Sequence, residues 1–109
     1  MKEKFVIIES SFPDLKSAKN LSAILLKNFL AACIQIKKIE SLYIWQAKIA
    51  NKKEFLISIK TKSEKFNKIA QIIKKNHPYD LPEIISLPIT QGDKKYLSWI
   101  ETNISQKPK

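Results

Sequence analysis

Apolar and polar positions change period several times along the chain, and each change marks a predicted element. An apolar run from Phe5 to Ser10 is typical of a central strand that is buried on both faces. Apolar residues then recur at helical spacing from Leu15 to about Leu30. This spacing predicts an amphipathic helix, and either Ser11 or Asp14 could cap its first turn.

The next segment has the two-residue period of strands. Alternation from Ile34 to Trp45 predicts a long strand, with a bend near Lys37-Lys38. The polar residues from Gln46 to Lys53 predict a hairpin connection, and a second strand is predicted from Glu54 to Thr61. Strands this close in sequence are expected to pair in antiparallel fashion.

Three further elements complete the pattern. Ser63 is the predicted N-cap of a helix that ends at Asn76, because Pro78 prevents its continuation. A short strand is predicted from Glu83 to Leu87, and a last helix from Asp93 to Ile104. The tail after Ile104 is expected to fray.

The predicted order is therefore strand, helix, strand, strand, helix, strand, helix. Two βαβ-type units joined by a hairpin give an α+β, ferredoxin-like βαββαβ sandwich, here with an additional C-terminal helix. A length of 109 residues suits one domain, so residues 1–109 are interpreted as a single domain. This fold supports many functions and names none of them.

Charge and composition narrow the function classes. The formal net charge is +10 and all basic residues are lysine, but no run of lysines is longer than two. Without arginine for bidentate contacts, no nucleic-acid partner is expected. The apolar run at Phe5 is too short for a membrane span or a signal peptide, and Cys33 is the only cysteine. These features predict a cytoplasmic protein without a membrane partner.

One segment concentrates groups with possible chemistry. Asn76 to Glu83 contains a histidine, a tyrosine, carboxylates and two prolines that stiffen the backbone. His77 is a plausible metal ligand or proton carrier, although a structural histidine at the helix C-terminus explains it equally simply. Acid–base catalysis by Tyr79, His77 and Glu83 is a further alternative, but no nucleophile accompanies them.

The aromatic strand from Ser41 to Trp45 is the second unusual segment. A strand that projects beyond a small sheet exposes an unpaired edge, and natural proteins usually cover such edges. Pairing with another copy of the chain would cover it.

Several short motifs in order resemble those of the CutA family of divalent-cation-tolerance proteins. The resemblance extends from about Phe5 to Ile104. The matching motifs are Leu30-Ala31-Ala32-Cys33-Ile34, Ser41-Leu42-Tyr43-Ile44-Trp45, Lys60-Thr61, His77-Pro78-Tyr79, Leu81-Pro82-Glu83-Ile84 and Tyr96-Leu97-Ser98-Trp99-Ile100.

The resemblance implies a tight homotrimer with an architecture like that of the PII signalling proteins. It also implies a role in divalent-metal tolerance with binding of copper or another divalent cation, and it brings no enzymatic reaction. His77 matches the proposed metal ligand. The residues that match positions around clefts between subunits are Lys60, Tyr79, Glu83, Tyr43 and Trp45.

Two functional hypotheses follow. In the first, the protein is a non-enzymatic, trimeric divalent-metal response protein that binds copper through His77. In the second, it is a PII-like signalling module that binds a small anionic ligand or metabolite in clefts between subunits, with Lys60 supplying the charge and Glu83 or Tyr79 the orientation. Two departures from the family pattern are Asn76, where some members have a second histidine, and Ala47, where a glycine is usual.

Overall fold

The computed structural model describes residues 4–105, and it has the predicted order of elements. A 3-10 turn at Ser63–Lys65 precedes the second helix. The strands are β1 (Phe5–Phe12), β2 (Cys33–Trp45), β3 (Lys48–Lys62) and β4 (Ile85–Pro88), and the helices are α1 (Leu15–Lys27), α2 (Phe66–Asn76) and α3 (Lys94–Ile104).

The four strands form one antiparallel sheet in the order β2-β3-β1-β4. This is the strand order of a ferredoxin-like sandwich, so the predicted fold class is confirmed. The central position of β1 is also confirmed, because β1 pairs with β3 on one side and with β4 on the other.

One face of the sheet carries α1 and α2 and holds the main core. Alternate residues of the two central strands point to this face because side chains of a strand alternate in direction. Thr61 is buried there, and its hydroxyl donates to the carbonyl of Leu30 at 2.6 Å, which fixes the connection from α1 to β2. The core includes Val6, Ile8, Phe12, Ala18, Leu21, Leu25, Ile57, Ile59, Ile69 and Ile73.

The other face of the sheet is covered in part by α3. Lys62 points to this face, because it alternates with Thr61, and its ammonium lies 2.7 Å from the carboxylate of Glu101. Lys4 contacts the same carboxylate at 3.0 Å. The hydrogen bond to Lys62 lowers the pKa of Glu101, and the same bond raises the pKa of Lys62. These ion pairs attach α3 to the sheet.

The connection predicted from Gln46 to Lys53 is wrong. The turn consists of Gln46 and Ala47 alone, with φ angles of 50° and 63°, and β3 begins at Lys48. Two positive φ angles define a type I′ turn, whose twist matches that of the flanking strands. The polar residues at 48–53 indicated a loop, but they are strand residues that face solvent.

The long hairpin projects beyond the rest of the sheet. β2 pairs with β3 without a bulge from Cys33 to Trp45. This continuous pairing includes Lys37 and Lys38, where the sequence predicted a bend. The pairing of β1 with β3 extends only as far as Phe55. Residues 39–45 and 48–54 therefore form a two-stranded ribbon, which we call the arm.

Several predicted boundaries move by a few residues. α1 ends at Lys27 instead of Leu30, and the carboxylate of Asp14 is its N-cap, 2.7 Å from the amide of Ser17. The side chain of Ser63 makes no capping bond. β4 lies at 85–88 instead of 83–87, and the tail at 106–109 lies outside the described residues.

The prediction that β1 is buried on both faces is wrong for the single chain. Val6, Ile8 and Phe12 are buried under α1 and α2, but Phe5 and Ile7 on the other face are only half-buried. The apolar run indicated burial on both faces, whereas the second face is covered incompletely within one chain.

Replacement of Ala47 by glycine should stabilise the fold. A side chain at φ 63° brings its Cβ close to the following carbonyl, and glycine removes that conflict. We expect the free energy of unfolding to rise by roughly 0.5–1 kcal/mol in urea titrations. Ala50→Gly is the matched control in extended β3, where the same change should lower the stability. An equal loss in both variants would contradict the assigned strain.

Candidate functional site

A groove of about 930 Å³ lies between the arm and the loop that follows α2. The arm contributes residues from 40–45 and 50–54, and the loop contributes residues from 78–83. Ser11, at the end of β1, completes the lining. Distant parts of the sequence therefore meet here.

His77 attaches the loop to the end of β1. Its ring stacks on Phe12 with centroids 4.2 Å apart, and Nε2 lies 2.8 Å from the carbonyl oxygen of Ser11. The amide of Tyr79 donates to Nδ1 at 3.0 Å. Because Nδ1 accepts, the proton is on Nε2, which donates to Ser11. Burial lowers the pKa of His77, so the neutral ring is favoured.

Tyr79 and Glu54 form the inner wall of the groove. Glu54 is only 5% exposed, and the hydroxyl of Tyr79 donates to its carboxylate at 2.7 Å. Burial and this hydrogen bond raise the pKa of Tyr79, so the phenol stays protonated. The ammonium of Lys52 lies 5.7 Å from the centroid of the Tyr79 ring, a cation–π contact. Ser11 donates to Glu83 at 3.3 Å.

The charge of the groove is opposite to that of the whole chain. Its lining contains four carboxylates (Glu40, Glu54, Asp80 and Glu83) and one ammonium (Lys52), which sum to a formal charge of −3. The chain as a whole has a formal charge of +10. The lining residues by themselves therefore favour a cation over an anion. The ammonium groups of Lys53 and Lys48, the strand partners of Glu40 and Trp45 in the arm, reduce this preference.

Four of the predicted site residues meet in the groove: Tyr43, Trp45, Tyr79 and Glu83. His77 lies behind its wall and positions Tyr79. Lys60 does not line the groove, because it is six residues further along β3 than Glu54, or about 20 Å. Its ammonium lies 5.4 Å from the centroid of the Tyr96 ring on α3.

Glu54 and Lys52 are among the groove residues that sequence reasoning missed. Glu54 was interpreted only as the first residue of a strand, and Lys52 as part of a connection. No local pattern distinguishes a buried glutamate at a strand end from a solvated one. The pairing of Glu54 with Ile39 and its bond to Tyr79 become visible only in three dimensions.

No preformed metal centre is present within residues 4–105. No group of three or more histidine, cysteine or carboxylate side chains is arranged there to hold an ion. Cys33 is half-buried at the start of β2. A tightly held ion would thus need donors in addition to the acidic side chains of one chain.

Comparison with protein families identifies the relationship. The family model described as CutA1 divalent ion tolerance protein matches residues 6–103. The chain belongs to the CutA1 family. It is 35% identical over 102 residues to the divalent-cation tolerance protein CutA of Thermus thermophilus, covering 93% of this chain and 97% of that one. The family resemblance found in the sequence is therefore confirmed.

A longer relative is the chloroplastic protein CutA 1 of Oryza sativa, which is 35% identical over 99 residues. The match covers 90% of this chain but 56% of the rice protein, so the chain spans about half the length of that relative. The corresponding share of the chloroplastic CutA of Arabidopsis thaliana is 54%.

Solved structures agree with the fold. CutA from Archaeoglobus fulgidus, described as a periplasmic divalent cation tolerance protein, has a TM-score of 0.90 and 36% identity, covering 92% of this chain and 98% of that one. CutA1 from Oryza sativa has a TM-score of 0.88 and 34% identity, with coverage of 93% and 94%.

The compartment differs among these relatives, since two are chloroplastic and one is periplasmic. None of the helices within residues 4–105 has the length and apolar character needed to cross a membrane. The cytoplasmic location predicted above stays a prediction.

The neutral state of His77 should make stability depend on pH. The pKa of His77 is lower in the folded protein than the ordinary value of 6.5, so the unfolded chain binds the proton first. The stabilisation is complete above pH 6.5 and decreases as the pH falls through the folded-state pKa. Urea titrations from pH 7.5 to 5.5 should show this decrease in the wild type.

His77→Gln is the control, because glutamine does not titrate and His77 is the only histidine of the chain. The variant should be less stable at pH 7.5, and the difference should narrow towards pH 5.5. A parallel pH dependence in both proteins would contradict the role assigned to the neutral ring.

Proposed function

We propose that this protein contributes to tolerance of divalent cations by binding a cation in the groove, and that it does so as a homotrimer. The family relationship supports the tolerance role in general terms. The observation that carries the proposal is the formal charge of −3 on the groove of a chain whose net charge is +10. Such a groove concentrates cations near its carboxylates.

The ligand set suggests a preference among cations. Carboxylate oxygens suit hard ions such as Mn²⁺ and Mg²⁺, whereas imidazole and thiolate suit copper and zinc. Glu83 and Asp80 are exposed at the mouth of the groove, while Glu54 already accepts a hydrogen bond from Tyr79. We infer that Glu83 and Asp80 supply ligands and that water or a neighbouring subunit supplies the others.

The homotrimer is supported by the exposed apolar surface of the arm. Leu42, Ile44 and Ile49 are 66%, 72% and 75% exposed on one face of the arm, and Trp45 on the opposite face is 57% exposed. An isolated two-stranded ribbon is only marginally stable in water, and contiguous apolar surface marks an interface. In the sheet of one chain, β2 is also an edge strand. Contacts with other copies of the chain, in a PII-like arrangement, would cover both features.

Copper binding through His77 stays a prediction from the family resemblance. Both ring nitrogens already make hydrogen bonds, one to Ser11 and one from Tyr79. A metal ion would have to replace one of these bonds and release the Tyr79 loop from β1. The geometry supports a positioning role for His77 more directly than a ligand role.

The alternative of a small anion has less support in the groove. Lys60 was expected to supply its charge in a cleft between subunits, and within one chain Lys60 lies about 20 Å further along β3 than Glu54. The groove itself has a net negative charge, which repels anions. The absence of enzymatic activity stays a prediction. It agrees with the description of the relatives as tolerance proteins.

Loss of groove carboxylates should weaken cation binding. We expect the double variant Glu83→Gln/Asp80→Asn to lower Mn²⁺ affinity roughly tenfold or more, because two charged oxygen donors become neutral. Isothermal titration calorimetry of chelator-treated protein measures this. Glu64→Gln is the matched control, since Glu64 is exposed and lies outside the groove.

Parallel titrations with Cu²⁺ separate the two ligand assignments. The groove proposal predicts that His77→Gln changes Mn²⁺ affinity less than about threefold, because the ring acts through Tyr79. If His77→Gln abolishes cation binding and the groove variant leaves it unchanged, the groove is not the site and the imidazole is the ligand.

The assembly can be tested by light scattering with chelator present. The expected mass is three times 12.6 kDa, unchanged on dilution. Ile44→Lys/Ile49→Lys places charges on the apolar surface of the arm and should shift the mass towards one chain. Asn20→Lys/Asn67→Lys is the control, because it adds the same charge at exposed positions of α1 and α2, outside the arm, and should leave the mass unchanged. A monomeric wild type would contradict the proposed assembly.

A further inference from the structure

The tertiary structure collects lysines that are dispersed in the sequence onto one outer layer. α1 and α2 lie side by side on one face of the sheet. The two helices contain six lysines and no acidic residue. All six are exposed: Lys16, Lys19, Lys27, Lys68, Lys74 and Lys75. We call these side chains the lysine face.

The charges of the lysine face are not neutralised within the chain. Among residues 4–105, the ion pairs involve only Lys4 and Lys62, which lie on the opposite side of the sheet. The two nearest acidic groups in sequence are already engaged. Asp14 caps α1, and Glu64 pairs with Lys62. The lysine face therefore presents unpaired ammonium groups to any anionic surface.

Its shape and composition distinguish between classes of anionic partner. α1 and α2 are 13 and 11 residues long, or about 20 and 17 Å, so they form a short, broad layer. Leu15 and Leu26 are 39% and 41% exposed on α1. Clusters of four to eight lysines on a helical surface are typical of binding to anionic lipid headgroups, and the two half-exposed leucines add a small apolar area.

Nucleic-acid binding fits the same face less well. The chain has no arginine for bidentate contacts to bases or phosphates. No residue of α1 is aromatic, and the one aromatic residue of α2, Phe66, is half-buried against the core. Stacking on bases is therefore not available.

We propose that the lysine face of α1 and α2 docks on the surface of a membrane that contains anionic lipids. The attraction is electrostatic, with a small apolar contribution from Leu15 and Leu26. It acts on the side of the sheet opposite to α3 and does not involve the groove. The protein would thus associate reversibly with the bilayer surface without inserting into it. This proposal departs from the expectation of no membrane partner, which was based on the absence of a membrane-spanning run and not on the surface charge.

Binding to vesicles tests the proposal on the full chain. The probes are vesicles of phosphatidylcholine alone and vesicles with about one-third phosphatidylserine, measured by co-sedimentation at about 50 and 300 mM NaCl. Binding is expected only to the anionic vesicles, and it should weaken strongly at the higher salt concentration. Equal binding to neutral vesicles would overturn the proposal.

A charge-neutralised variant locates the surface. In the variant Lys16→Gln/Lys27→Gln/Lys68→Gln/Lys75→Gln, affinity for anionic vesicles should fall about a hundredfold or more, because each lysine near such a surface contributes about 1 kcal/mol. The control removes the same charge elsewhere, at exposed positions outside the two helices. It consists of Lys37→Gln, Lys38→Gln, Lys94→Gln and Lys95→Gln.

The control should retain affinity within about threefold of the wild type, since its lysines lie away from the proposed surface. Arginine at the four helix positions should also retain binding, which separates charge from folding. An equal loss of affinity for anionic vesicles in the helix variant and the control variant would overturn the proposal, because binding would then depend on net charge and not on the lysine face. Tighter binding to duplex DNA than to anionic vesicles at the same salt concentration would overturn the proposal and identify a nucleic acid as the partner.

Discussion

The rest of the structure depends on one constraint, which is that β3 pairs with β1 and β2 over different numbers of residues. β2 pairs with β3 from Lys48 to Lys60, whereas β1 pairs with β3 only from Phe55 to Lys62. The shared part supports the helices and the core, and the unshared part becomes the arm. The groove exists because the arm extends past the end of β1, where the loop after α2 can face it. A shorter hairpin would remove the groove and the exposed apolar surface together.

The hydrogen bonds around His77 convert this geometry into a defined site. The ring joins the end of β1 to the loop, and Tyr79 continues the contact to Glu54 on β3. Burial of a carboxylate is costly unless a donor satisfies it, and the hydroxyl of Tyr79 is that donor. A residue first considered as a metal ligand thus has a clear structural role, and the negative charge of the groove comes from its carboxylates.

Charge is separated in space although it is mixed in sequence. The lysine face lies on the outer surface of α1 and α2, and the groove carboxylates lie between the arm and the 78–83 loop. A chain with a net charge of +10 can therefore have a negatively charged groove and a strongly positive surface at once. Low ionic strength strengthens both effects, because exposed charges further apart than about 10 Å are screened at ordinary salt concentrations.

The sequence by itself determined the element order, the ferredoxin-like fold and the family, because hydrophobic periodicity and short motifs are local properties. It also brought attention to Tyr79 and Glu83, since a loop rich in proline and polar residues is visible locally. The start of β3, the burial of Glu54 and the separation of Lys60 from Tyr43 were decided only by the tertiary structure. Polar strand residues that face solvent resemble a loop, and a charge becomes part of a site only when strand register and loop packing bring it beside its partners.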